Sequence, residues 1–92
     1  MIVSFRHSGL KRLFESGNRS RVSAMRVEKI ELILADLDAA KSIEHLRRPG
    51  YRLHQLKGTR AGQYAVDVSG NWRIVFRFEA GRVLDVDLVD YH

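Results

Sequence analysis

The side chains of this sequence best suited to chemistry can transfer protons, bind phosphate or stack on a base: His54, Lys57, Arg73, Asp90, Tyr91 and His92. Imidazole can act as base or acid at neutral pH, because the unperturbed pKa of histidine is about 6.5. Lysine and arginine hold phosphate through charge-assisted hydrogen bonds, and a tyrosine ring stacks on an unstacked base. This set matches metal-free RNA cleavage. That reaction takes a proton from a ribose 2′-OH, gives one to the departing 5′-oxygen and stabilises charge on the phosphoryl oxygens.

Ordinary structural roles compete with this interpretation. His54 can be a half-buried histidine satisfied by one hydrogen bond, and Arg73 can form a cross-strand ion pair with Asp67, worth ~0.2–1 kcal/mol. A metal site is not expected, because the histidines show no local ligand spacing. The sequence also has no phosphate loop, nucleophile elbow or coenzyme fingerprint, so no cofactor is expected. The last three residues are harder to explain structurally, since chain ends usually fray.

Length and composition predict one compact domain spanning residues 1–92. The chain has 92 residues, of which 45% are hydrophobic, and a single proline, which favours a packed fold over disorder. It contains no cysteine, which excludes a disulfide scaffold and a thiol nucleophile and fits a reducing cytoplasm. No apolar run approaches the ~20 residues of a membrane span, so we expect a soluble protein with no membrane partner.

Positive charge exceeds negative charge and is unevenly distributed. Sixteen lysines and arginines against eleven acidic residues give a net charge of +5. Residues 47–63 hold five basic side chains and no acidic one, in a predicted strand and its flanking loops. This balance favours a polyanionic partner through counterion release, although a solvated basic surface fits equally well.

The first half of the chain predicts one strand and two helices. Residues 1–5 are apolar and β-branched, as in a strand, and residues 9–16 form a short helix ended by Gly17. A longer helix is predicted over residues 20–40, with an apolar stripe of Val27, Ile30, Ile33, Leu34 and Leu37. Met25 and Leu32 make a smaller apolar spot on its other side, which could receive a partner chain but which we expect to pack under the first helix. A helical turn is predicted at residues 42–46.

The second half alternates with period two and predicts an antiparallel β meander after a strand at residues 51–57. Facing apolar side chains to one another requires Val66 opposite Ile74 and Phe76 opposite Val86. The core positions are then Tyr64, Val66, Val68, Trp72, Ile74, Phe76, Phe78, Leu84, Val86 and Leu88. In this register residues 69–71 and 80–82 are three-residue hairpin loops.

The sum of these elements is an α+β fold: a small single domain with an N-terminal strand and two helices packed on one face of a mostly antiparallel β-sheet. The same register defines the opposite face. There Arg73 lies between Asp67 and Val89, level with the end of the chain, while Arg77 faces Asp85 in a structural ion pair.

Over essentially its whole length the chain resembles the HigB-type toxins of the RelE/ParE toxin–antitoxin superfamily. The resemblance rests on motifs that occur in the same order and at near-identical spacing: Ile-x-Ser-Phe near the start, Leu-x-x-Leu-Phe in the first helix, Tyr51-x-Leu53-His54-x-Leu56-Lys57-Gly58, Asn71-Trp72-Arg73-Ile74 and Asp90-Tyr91-His92. It implies a RelE-like, microbial-RNase-like fold and a ribosome-dependent endoribonuclease that cuts mRNA in the ribosomal A site. It also implies a cognate HigA-like antitoxin, a monomer when free and a higher-order complex with that antitoxin.

Carried over residue by residue, the resemblance places His54, Asp90, Tyr91 and His92 at the catalytic centre and makes Lys57 and Arg73 phosphate contacts. Either histidine can be the base, with the other or Asp90 assisting. The resemblance also implies ribosomal RNA contacts from the basic segments, which include Arg6, Arg19, Arg21, Arg47, Arg48 and Arg52.

Two other functions remain open at this point. The ParE branch of the superfamily inhibits DNA gyrase and shares the fold, so the fold alone does not separate the branches. The set of His54 with the last three residues argues against that branch. The other alternative, from a different class, is a basic module that binds nucleic acid without chemistry, in which both histidines are incidental.

Overall fold

The computed structural model describes residues 1–90. Its regular elements are two helices, two 3₁₀ turns and four strands: α1 (Ser8–Ser16), α2 (Val27–Ala39), the turns Ile43–Leu46 and Gly58–Arg60, β1 (His54–Gln55), β2 (Gln63–Ser69), β3 (Trp72–Glu79) and β4 (Arg82–Asp90). The strands form one antiparallel sheet in the order β1-β2-β3-β4. This architecture confirms the expected α+β class.

The N-terminal segment lies along the free edge of β4 and runs parallel to it. Two isolated bridges, Ile2 to Val83 and Phe5 to Val86, replace the continuous strand predicted over residues 1–5. The Val3 amide donates to the Val83 carbonyl at 2.7 Å, and the Val83 amide donates to the Met1 carbonyl at 2.9 Å. The segment therefore covers this edge of the sheet without becoming a regular strand.

Helix α1 begins and ends as its sequence predicts. His7 precedes it, and its Nδ1 accepts a hydrogen bond from the Leu10 amide at 3.1 Å, which satisfies one of the unpaired amides of the first turn. Gly17 ends the helix with φ of 72°, a left-handed conformation that an L-residue with a Cβ rarely adopts. Leu10 and Leu13 are buried beneath the helix.

Helix α2 begins at Val27, and the prediction that it starts near residue 20 is wrong. The Asn18 side chain accepts a hydrogen bond from the Ser20 amide at 2.9 Å, and turns lead from there to Arg26. Local side-chain bonds of this kind compete with helix formation. The predicted stripe is buried throughout, but Met25 is 92% exposed and Leu32 57% exposed, so they do not pack under α1.

The register of the central hairpin is confirmed where Val66 pairs with Ile74, but both loops are shorter than predicted. Ser69 pairs with Trp72. The first loop is therefore residues 70–71, and the register shifts between residues 67 and 69. Glu79 pairs with Arg82, which leaves a second loop of residues 80–81.

A bulge in β4 compensates for the shorter second loop. Ala80 and Gly81 both have positive φ, 51° and 78°, as a tight two-residue hairpin requires. The register then shifts between Val75 and Arg77, opposite Asp85, which itself has φ of 56°. The shift turns Val83 into the core instead of the predicted Leu84 and pairs Arg77 with Leu84. Arg77 still reaches the Asp85 carboxylate, at 3.4 Å.

The strand predicted over residues 51–57 shrinks to His54–Gln55. Tyr51 is buried, and its hydroxyl donates to the Asp36 carboxylate on α2. Arg52 follows with φ of 49°, a left-handed conformation that interrupts a regular strand. The chain therefore enters the sheet only at His54, as its edge strand.

The two helices cover one face of the sheet, and among residues 1–90 no helix lies on its other face. The main core lies between the helices and the inward-facing residues of β2, β3 and β4, and Phe76 is fully buried at its centre. On the other side, here called the open face, Leu56, Ala65 and Val75 form a small apolar cluster, with Val89 packed against it. Within residues 1–90 neither helix has the length and apolarity that a membrane crossing requires.

Candidate active site

Three polar side chains form a connected group across the open face, from β1 to β3. His54 pairs with Ala65 and Asp67 pairs with Arg73, so the three side chains project from neighbouring positions on the same side of the sheet. Arg73 Nη1 lies 3.4 Å from His54 Nε2, and Arg73 Nε lies 3.1 Å from Asp67 Oδ1. The structure therefore brings together His54 and Arg73, two residues that the sequence assigns to the site.

The contacts of His54 fix its tautomer in the neutral state. Its Nδ1 lies 2.7 Å from the carbonyl oxygen of Arg52. A carbonyl can only accept, so Nδ1 carries the ring proton and Nε2 presents a lone pair. That lone pair points towards the guanidinium of Arg73. The ring is half-buried, and its unprotonated nitrogen lies on the open face beside a cation.

Asp67 is a further member of this group, although its sequence position predicts only a structural ion pair with Arg73. Its carboxylate lies between two arginines, with Arg52 Nε at 3.6 Å from Oδ2. The side chains of Asp67 and Arg73 are 19% and 27% exposed, so solvent screens this pair only partly. The approach of Arg73 Nε meets the ion-pair distance but not hydrogen-bond geometry, so the contact is electrostatic. The predicted register already placed Asp67 opposite Arg73, and this pairing is the sequence feature that could have identified it.

Lys57 and a cleft lie on the β1 side of this group. Lys57 is exposed, three residues after His54, and directly precedes the 3₁₀ turn at Gly58–Arg60. The cleft, of about 180 Å³, opens beside His54 at the edge of the sheet, and Arg47 and Tyr64 contribute to its walls. A ligand can therefore reach His54 from the sheet edge as well as from the open face.

Asp90 occupies a different position from His54 and Arg73. It ends β4 opposite Trp72 and is exposed, one residue beyond the pair of Arg73 with Val89. Paired residues of antiparallel strands share a face, so Asp90 lies on the side of Trp72, at the end of the sheet nearest Arg73. Tyr91 and His92, which complete the predicted catalytic set, lie outside the described residues.

Four of the six arginines predicted to contact ribosomal RNA form ion pairs within the protein. Their partners and closest N–O distances are Glu31 for Arg19 (2.6 Å), Glu44 for Arg47 (2.7 Å), Asp36 for Arg48 (3.3 Å) and Asp67 for Arg52 (3.6 Å). The hydrogen bond to Glu31 raises the pKa of Arg19. Arg6 and Arg21 are exposed. Part of the basic surface is therefore neutralised within the fold.

Known proteins resemble this chain both in sequence and in fold. The family profile described as "RelE-like toxin of type II toxin-antitoxin system HigB" matches residues 3–92. Endoribonuclease HigB of Proteus vulgaris is 46% identical over 92 residues, which are 100% of both chains. A solved chain of the YoeB-YefM complex from Staphylococcus aureus has the same fold, with a TM-score of 0.60 at 16% identity over 100% of this chain and 95% of that one. The chain therefore belongs to the HigB family of RelE-like toxins from type II toxin–antitoxin systems.

Proposed function

We propose that this toxin is an endoribonuclease that cuts mRNA in the ribosomal A site, without a metal ion, and so stops translation. The observation that carries the proposal is the contact of His54 Nε2, in its lone-pair tautomer, with the Arg73 guanidinium on the open face. A base next to a phosphate-binding cation is what attack by a ribose 2′-OH requires. The name of the relative from Proteus vulgaris, an endoribonuclease 46% identical to this chain, supports it.

In the proposed reaction His54 Nε2 takes the proton of the 2′-OH. The 2′-oxygen forms a bond to phosphorus while the bond from phosphorus to the 5′-oxygen breaks, which leaves a cyclic phosphate and a 5′-hydroxyl. Arg73 exchanges its long contact with Nε2 for a charge-assisted bond to the phosphoryl oxygens, and Lys57 adds a second cation. Asp67 is a positioning residue, because it holds Arg73 from the side opposite His54.

The remaining roles go to the end of the chain. Asp90 or His92 protonates the departing 5′-oxygen, and Tyr91 stacks on the mRNA base. What supports this assignment is that β4 ends at Asp90, beside the strand that carries Arg73.

The proposed partners follow from the family and the proposed substrate. A HigA-like antitoxin neutralises the toxin in a higher-order complex, and the free toxin acts as a monomer in the cytoplasm. The exposed arginines, Arg6 and Arg21 foremost, contact ribosomal RNA through its phosphates.

The proposal is tested by primer extension on a defined mRNA, with and without programmed ribosomes. Wild type is compared with His54→Ala, Arg73→Met and His92→Ala, and with His45→Ala as the matched control. His45 is an exposed histidine whose Nδ1 accepts from the Lys41 amide, away from the open face. We expect ribosome-dependent cuts that fall on the order of 10²-fold or more in the first three variants and persist in the control.

Other outcomes of this assay would contradict the proposal in distinct ways. Cuts on naked RNA would make the protein a free ribonuclease. No cutting by folded, antitoxin-free wild type would favour a gyrase inhibitor or a non-catalytic binding module. A loss of cutting in His45→Ala equal to that in His54→Ala would show that the assay reports stability rather than chemistry.

A further inference from the structure

A second basic cleft lies on the helix side of the sheet, and the proposed chemistry does not use it. It has a volume of about 170 Å³, and the polar and aromatic side chains in its wall are His7, Arg21, Ser23, Arg26 and Trp72. Val22, Ile30 and Leu88 complete the lining, which contains no acidic residue among those described. We call it the Trp72 cleft. Because Trp72 and Arg73 are consecutive in β3, the cleft and the candidate active site lie on opposite faces at the same end of the sheet.

Two contacts fix Arg26 in the cleft, and neither uses its terminal amino groups, which have no hydrogen-bond partner in the described part of the chain. Its guanidinium centre lies 5.4 Å from the centre of the Trp72 ring, and its Nε donates to Ser69 Oγ at 3.0 Å. Within residues 1–90 neither Arg26 nor Arg21 pairs with an acidic side chain, whereas Arg19 and Arg48 do. No described acidic side chain therefore balances the charges of the two cleft arginines, and both are available to an external anion.

His7 contributes a donor whose position is fixed by α1. Its Nδ1 accepts from the Leu10 amide, so the neutral ring carries its proton on Nε2. Gly9 allows this arrangement, since a Cβ there would lie 2.8 Å from His7 Cε1 and 2.9 Å from Arg21 Cβ. The missing side chain lets His7 and the segment that carries Arg21 both pack closely against Gly9. The cleft is thus a site whose walls are held by specific contacts.

We propose that the Trp72 cleft binds one phosphate group of an RNA strand that passes over the end of the sheet, with Arg21, Arg26 and His7 Nε2 as donors. Two guanidinium groups and an N–H donor match the phosphodiester oxygens, and the volume suits a phosphate group rather than a whole nucleotide. The strand is either the mRNA whose scissile phosphate lies at Arg73 or ribosomal RNA beside it. This proposal rests on the proposed function, because it takes RNA as the ligand.

The direct test measures binding without cleavage. The probe is a short 2′-O-methyl oligoribonucleotide, which lacks the attacking hydroxyl, and the signal is the fluorescence of Trp72, the single tryptophan of the chain. The double variant Arg21→Gln/Arg26→Gln is compared with Arg12→Gln/Arg82→Gln, which removes the same charge from two exposed arginines outside the cleft. His7→Asp serves as a further variant, because aspartate still caps α1 but repels phosphate.

If the cleft takes a phosphate of the mRNA, the cleft double variant and His7→Asp bind the probe about tenfold more weakly than the control variant. The plot of log K against log salt concentration is then shallower than that of the control variant. Its slope is smaller in magnitude by about 0.7, the value for one phosphate contact on a single strand. If the phosphate belongs to ribosomal RNA, the probe binds equally to all variants. The cleft variants then lose affinity for ribosomes without mRNA, measured by co-sedimentation.

The proposal is overturned if the cleft variants match the control variant in both the oligonucleotide and the ribosome measurement while their urea unfolding shows that they are folded. Failure of the proposed function is a separate result. Both measurements report binding, so they give an answer for the cleft even if wild type does not cut RNA.

Discussion

The ion pair of Asp67 with Arg73 predicts that Asp67→Asn lowers the free energy of unfolding by more than the loss of an exposed ion pair does. At 3.1 Å with an effective dielectric constant near 20, the Coulomb attraction is about 5 kcal/mol. Desolvation offsets most of it, because both side chains are more than two-thirds buried. The contact also lacks hydrogen-bond geometry, which lowers its contribution further. We therefore expect Asp67→Asn to lower the free energy of unfolding by about 1–2 kcal/mol.

The assay is urea unfolding followed by Trp72 fluorescence, with Glu79→Gln as the matched control. Glu79 pairs with Arg77 at 2.6 Å, but their side chains are 51% and 43% exposed, so this substitution removes the same charge from a screened pair. We expect the control to lose less than about 0.5 kcal/mol. The thermal midpoint of Asp67→Asn should fall by about 5–15 °C, given the size of the domain. Equal losses in the two variants would refute the argument that burial makes the Asp67 pair matter.

Three further predictions concern single contacts. Gly9→Ala should lower the free energy of unfolding by about 1–3 kcal/mol, because the added Cβ would lie 2.8 Å from His7 Cε1. Alanine usually stabilises a helix relative to glycine, so a higher urea midpoint for Gly9→Ala would contradict this prediction. Burial and the hydrogen bond to Asp36 raise the pKa of Tyr51 well above its usual value of 10.0, so the folded protein keeps that proton while the unfolded chain loses it. Stability should therefore fall as pH rises above about 10, and this fall should be smaller in Tyr51→Phe, as urea midpoints between pH 8 and 11 would show. Ala80→Gly should raise stability by up to about 1 kcal/mol, because Ala80 has φ of 51°, and an unchanged or lower thermal midpoint would count against strain in this turn.

The parts of the fold that could be predicted from sequence are those fixed by strict alternation. Val66 opposite Ile74 and Arg73 between Asp67 and Val89 follow from turning apolar side chains to the core, and the structure has both. The placement of Arg73 on the face away from the main core follows from the same rule, whereas the pairing of His54 with Ala65, which brings His54 to that face, was not predicted. Spacing alone therefore places Asp67 beside Arg73, whereas the approach of His54 to Arg73 depends on where β1 joins the edge of the sheet.

The errors arise where backbone conformation changes at single residues. A loop of residues 80–82 and a two-residue loop followed by a bulge satisfy the same apolar pattern over Phe76 and Val86, so periodicity does not distinguish them. Only the bulge at Asp85 brings Val83 into the core. Likewise, nothing in the apolar spacing of residues 51–57 signals that Arg52 takes a positive φ.

The parallel pairing of the first residues with β4 has a consequence for how the domain folds. Met1 and Ile2 contact Val83, some eighty positions along the chain, so this pairing closes almost the largest loop that the sequence allows. Loop closure costs entropy, and topologies dominated by distant contacts fold slowly. The hairpins of β2, β3 and β4 join residues that are close in sequence, so we expect them to form before residues 1–6 pair with β4. An N-terminal fragment that ends before Arg82 lacks β4 and cannot make this pairing.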